Sequence, residues 1–169
     1  MAKPLSTDHP PYFKKYIDLV SGDEIQEAFK TQQTQLAAML NAIPDSKADY
    51  AYAEGKWTVK QLLQHVIDAE RIFAYRALWI ARKAAEPLPS FDEDAFAAIA
   101  DVSQRSLQDL KNELVAVRSA TQYLFSSLGE DELQRRGIAS GKEVTVNAIG
   151  FITLGHWLHH INVLKERYL

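Results

Sequence analysis

The chain has 169 residues, 47% of them hydrophobic and 24% charged, with a formal net charge of −3. This length suits one domain with a substantial core. The charge balance lacks the basic block of a nucleic-acid binder, and no apolar run approaches the roughly 20 residues of a membrane span. Cysteine is absent, which excludes disulfides, thiolate metal sites and a cysteine nucleophile and leaves any metal to His and carboxylate. The amino terminus carries no apolar signal segment, so a cytoplasmic protein is expected.

Residues 1–20 start as a proline-rich lead in which Pro10 and Pro11 favour extended backbone. They end in Tyr12-Phe13-Lys14-Lys15-Tyr16, whose aromatics suit an arm lying on the domain. His9 reads as a solvated tail residue. Ser21-Gly22-Asp23-Glu24 has the form of a capping box and predicts that the first long helix opens at Ser21. Leu36, Met39, Leu40 and Ile43 keep helical spacing until Pro44 stops it. After a connector over 44–57, Thr58-Val59-Lys60-Gln61 is a second capping box, with Trp57 and Leu62 as its staple. It predicts a second long helix running to about Ala85, before Pro87. On it, His65 shares a stripe with Leu62, Ala69, Ile72, Phe73 and Arg76.

A loop through Leu88-Pro89-Ser90-Phe91 leads to a short helix near 93–100, where Asp92, Glu93 and Asp94 complement the helix dipole. A third long helix is predicted from Val102 to Leu128, apolar at Leu107, Leu110, Leu114, Val117, Thr121 and Leu124 and architectural in character. Gly137 and Gly141 with weak alternation around them suit a short β-hairpin. Arg135 and Arg136 read as surface charge. Thr145 is the predicted N-cap of a last helix reaching Leu169. The expectation is an all-α protein, a four-helix bundle with short connectors and a small hairpin before the last helix, forming a single domain over 1–169.

The last helix carries Gly155-His156-Trp157-Leu158-His159-His160. Residues four apart lie one above the other on a helix, so His156 and His160 share the stripe that also holds Ile149, Ile152, Thr153, Val163 and Leu164. With His156 at zero, His160 falls at roughly +40° and His159 at roughly −60°, which puts His160 inward and His159 at the margin. Two inward imidazoles suit a divalent metal, and His65 from a neighbouring helix would complete a three-His site with an open position.

Trp57 to Arg71, together with the Gly155-His156 to Tyr168 segment, resembles the DinB-like superfamily, closest to its YfiT-like metal-dependent hydrolase branch. The resemblance implies a four-helix bundle, often homodimeric, with a divalent metal held at the positions of His65, His156 and His160. It further implies nickel or zinc, or iron or manganese, and a small-molecule substrate. The implied activity is a hydrolase or a thiol S-transferase working with a low-molecular-weight thiol. The alternative is a non-catalytic metal- or small-molecule-binding stress-response protein. Asp68, one turn from His65, is the candidate to accept from a ligand's free N–H. Glu70 is expected to be solvated or paired with an Arg, and Arg76 to pair with a buried acid. Phe151, Leu158 and Ile161 fall away from the histidine stripe and are expected to meet a second subunit or the amino-terminal arm.

Overall fold

Side-chain caps set where most of the helices begin. A computed structural model describes residues 1–169. In chain order its elements are α1 (Lys14–Ile17), α2 (Ile25–Asn41), α3 (Val59–Ala81), α4 (Glu93–Ile99), α5 (Leu107–Ser126), α6 (Glu130–Leu133), β1 (Arg136–Ala139), β2 (Lys142–Thr145) and α7 (Val146–Arg167). Thr58 and Gln61 cap α3 reciprocally, covering two backbone N–H groups that the helix itself leaves unpaired. Asp92, Ser106 and Thr145 accept from the first turns of α4, α5 and α7. The hairpin pairs β1 with β2 antiparallel, Gly137 opposite Val144.

The four long helices form a bundle in which α3 packs on α5 and α7, and α2 packs on the same two. Consecutive long helices α2 and α3 therefore sit on a diagonal. The core is in two halves. One gathers Phe29, Phe73, Phe125, Phe151 and the arm residues Tyr16 and Ile17. The other gathers Leu36, Leu63, Leu110, Trp157 and Tyr168. At the junction each helix contributes a polar residue: Gln32 from α2, Glu70 from α3, Arg118 from α5 and His156 from α7. Arg118 is 0% exposed and Glu70 2%. The guanidinium grips the carboxylate with two 2.8 Å bonds and reaches Gln32 Oε1 at 2.9 Å. A buried pair of this kind is tolerable only because its polar atoms are satisfied together.

Helix α7 runs through the centre, and from Val146 to Trp157 every residue is buried. Two glycines permit that closeness. A Cβ on Gly150 would meet the Phe125 ring at 2.7 Å, and one on Gly155 would lie 2.0 Å from the Tyr16 carbonyl oxygen. The backbone of α1 thus crosses α7 at Gly155, which sets Tyr16 beside His156.

Several expectations are corrected. The first long helix begins at Ile25, not Ser21, and has no side-chain cap. Gly22 takes φ +82°, and the amino terminus folds onto this turn: Ile25 N donates to Met1 O at 3.3 Å and the Met1 ammonium pairs with Glu24. The glutamate expected to close the capping box is thereby engaged elsewhere. The second helix stops at Ala81, because Lys83 turns to φ 58° and its N–H bonds Ile80 O. The third starts at Leu107 rather than Val102, since Asp101 folds its carboxylate onto Ser103 N and Ser106 supplies the cap. His9 is not solvated. It is 7% exposed, its Nδ1 2.9 Å from Pro10 O. Arg136 reaches back to Thr7 O and Asp8, and Thr145 N donates to Asp8 O, so the hairpin region clasps the arm. Of the two alternatives for Phe151, Leu158 and Ile161, the structure shows the arm: Phe151 is buried with Tyr16 and Ile17, Ile161 lies in the other core half and Leu158 packs against both, so these residues leave no bare face to explain a dimer. No helix is long and apolar enough to cross a membrane.

Candidate metal centre

Helix α3 supplies His65, and α7 supplies His156 and His160, one turn apart. One ring nitrogen from each lies within 4.8 Å of the others. His156 Nε2 is 3.1 Å from His65 Nε2 and 3.1 Å from His160 Nε2. A ring nitrogen carries either one hydrogen or one lone pair, so His156 Nε2 cannot make two in-line hydrogen bonds at once. Three lone pairs pointing at one centre could instead hold a cation. Ligands at roughly 2.0–2.1 Å in tetrahedral directions stand a little over 3 Å apart.

The protonation states agree. Burial, only partly opposed by Asp94, lowers His65 to about 4. Burial, then the neighbouring His65 and His159, lowers His160 to about 3. Burial first, then His160 and His65, holds His156 well below the ordinary range. All three are neutral at pH 7, with lone pairs free to ligate. His160 Nδ1 is buried without a partner.

The rings are held by aromatic neighbours. Trp57 lies 4.7 Å from His65 between centroids. Tyr16 and Phe73 stand edge-on to His156 at 5.5 and 5.6 Å. His159 packs on His160 and on Tyr16 instead of joining the cluster, as the marginal angle predicted. Asp68 does not meet an imidazole. Its carboxylate accepts from Gln64 at 2.9 Å, so the orienting role expected of it is absent here. Glu70 takes the arginine partner, Arg118. Arg76 finds no acid and donates to Pro89 O and Ser140 Oγ at 2.7 and 2.9 Å.

Two clefts flank the histidines. One, of about 150 Å³, runs from His156 past Tyr12, Tyr16 and Glu93 to Arg76. The other, of about 280 Å³, is lined by His159, His160, Trp57 and Asp94. The first turn of α4 therefore sends one carboxylate to each cleft. Partial desolvation at the lip, then Asp94, raises the Glu93 carboxyl. Burial, then the Tyr12 hydroxyl 3.4 Å away, pushes Tyr16 far above its usual range, so it stays a donor. Neither role was visible in the sequence beyond the aromatic character of the arm and the acidic start of α4.

A sequence profile of the DinB superfamily matches residues 28–164. The chain belongs to the DinB superfamily. A protein of Oceanobacillus iheyensis named "putative metal-dependent hydrolase" is 28% identical over 88 residues. That alignment covers 50% of this chain and 50% of the relative, so it spans about half the relative's length. YfiT from Bacillus subtilis, described as "a probable metal-dependent hydrolase with an unusual four-helix bundle topology", superposes with a TM-score of 0.67 at 20% identity. The superposition covers 97% of this chain and 90% of YfiT. A DinB-like protein of B. subtilis, YjoA, gives 0.57 at 18% identity, over 83% and 87% of the two chains. At these identities the likeness establishes the DinB bundle and its YfiT-type topology.

Proposed function

We propose that the protein is a divalent-metal-dependent enzyme of the hydrolase or thiol S-transferase type, with His65, His156 and His160 as the ligands. The convergence of three neutral, buried or half-buried imidazoles from two helices carries this reading. Imidazole ligands suit nickel or zinc, with iron a lesser fit. When bound, such a cation supplies Lewis acidity and lowers the pKa of a water or small thiol. The names of the Oceanobacillus and Bacillus relatives favour the hydrolase form.

The chain's own residues support chemistry on the Tyr16 side. Tyr16 Oη, protonated across the working range, donates toward an oxygen of a bound substrate. Glu93, whose carboxyl pKa is raised by burial, accepts a proton from the nucleophile at the lip of the same cleft. Phe13, Phe73 and Phe91 line that cleft and limit water. With aromatic walls and polar groups from Arg76, Glu93, Ser140 and His156, the cleft suits a small polar molecule.

The test is elemental analysis of protein purified without chelators, followed by assays with ester, amide and electrophile-plus-thiol substrates. One metal per chain with turnover of either kind is expected. No stoichiometric metal, even after nickel or zinc is added, refutes the reading. Metal without response to any thiol retires the transferase form.

A further inference from the structure

Arg76 is a buried charge without a counterion. Its side chain is 7% exposed, and no carboxylate lies within ion-pair distance of it, whereas Arg118 is fully matched by Glu70. One terminal nitrogen makes both of its bonds, to Pro89 O and Ser140 Oγ. Nε and the other terminal nitrogen donate to nothing in the fold, yet they are not sealed in, so they face open space. Burial lowers the guanidinium pKa, with no neighbouring acid to raise it. The Phe91 ring, 5.6 Å from the guanidinium carbon, and two hydrogen bonds offset that burial only in part, and an apolar side chain would fill the position at less cost.

Arg76 lines the cleft that ends at His156. Arg76 lies eleven residues beyond His65 on α3, but long helical side chains lean toward the amino terminus, which brings the guanidinium back toward the histidines. On its other side Arg76 borders an outer groove of about 410 Å³ lined by Tyr75, Phe91 and Phe96, open enough to serve as the way in.

We propose that Arg76 binds the carboxylate of a small monoanionic substrate and so orients the rest of that molecule toward His156. The second half of this statement rests on the metal-dependent reading; the first does not. Both paired edges of the guanidinium share the terminal nitrogen already bonded to Pro89 and Ser140, so a carboxylate takes a single charge-assisted bond, from Nε or from the other terminal nitrogen. One guanidinium balances one negative charge. A phosphate dianion would leave excess charge in a cleft that already holds Glu93. A cleft of about 150 Å³ with Phe13 and Phe73 in its wall suits an acid of only a few carbons.

The experiment uses butyrate and its uncharged match butyramide. Each is titrated at low salt into zinc-loaded protein and into chelator-stripped protein, following the Arg76 Nε–H resonance by NMR. Butyrate is expected to shift that resonance saturably in both forms, at concentrations about tenfold to a hundredfold below those butyramide needs, the range for a charge-assisted bond. Arg76→Gln, checked for fold by circular dichroism, is expected to lose the preference. The wild-type resonance locates the anion by itself, so a variant that fails to fold does not leave the question open. The proposal is overturned if butyrate acts only when zinc is present, if Arg76→Gln keeps the preference, or if the wild-type resonance never responds. Zinc uptake is recorded in the same samples. Failure to take up zinc, and nickel offered in its place, sinks the metal-dependent reading while butyrate binding still decides the role of Arg76.

Discussion

Replacing Gly155 with Ala sets two physical effects against each other. On helix propensity alone the change stabilises α7 by about 1 kcal/mol, since glycine is the poorer helix former. The crossing of α1 says otherwise. The new Cβ would stand 2.0 Å from the Tyr16 carbonyl oxygen and 2.4 Å from its carbonyl carbon. Both are backbone atoms and cannot rotate aside, so α1 must move by about 1 Å to reach even a tight contact. Overpacking a core costs about 1–3 kcal/mol, and a backbone clash belongs at the upper end. The net expectation is a loss of about 2 kcal/mol, which lowers Tm by about 4–8 °C for a chain of this size. Thermal unfolding followed by circular dichroism measures it, with Gly129→Ala as a control at a site where an added Cβ meets nothing within 4 Å. Metal content should survive, because His156 and His160 stay on one helix, while Tyr16 is displaced from His156. A variant as stable as the wild type, or more so, would refute the account of how α1 is seated.

Arg118→Met strands the Glu70 carboxylate, 2% exposed, inside the bundle, and should cost about 3–5 kcal/mol in urea unfolding. The double variant Glu70→Leu with Arg118→Met should recover most of that loss; equal instability of single and double variants would show that packing, not charge, dominates there. The metal-free protein should lose stability as pH falls. Folded pKa values of about 4 for His65 and about 3 for His160 lie below the unfolded value, so the unfolded chain takes up more protons below about pH 6.5. Each histidine contributes up to about 1.4 kcal/mol per pH unit across its window, and urea midpoints unchanged between pH 7 and pH 5 would contradict this. His65→Ala and His160→Ala should each cost most of the metal while preserving helix content, whereas His159→Ala should keep the metal.

The bundle and the approach of His65 to His156 and His160 were legible because helical periodicity is local. One turn separates the two α7 histidines whatever else happens. The reading of His159 as marginal came from the same 100° step. What escaped the sequence was set by distant partners. The Ser21 cap failed because Met1 folds onto Glu24, and only the structure decides that the arm, one of the two expected partners, covers the Phe151 side of α7. The Glu70–Arg118 pair joins positions 48 residues apart, with no local signal beyond a charge on each helix. Asp68 had the right spacing from His65, yet Gln64 on the next turn of its own helix engages it.

The most direct measurement is anomalous diffraction at the metal edge from crystals soaked in zinc or nickel. A single peak within about 2.2 Å of Nε2 of His65, His156 and His160 is predicted. No peak there, or a peak bound by only one of the three, would contradict the assignment at its root.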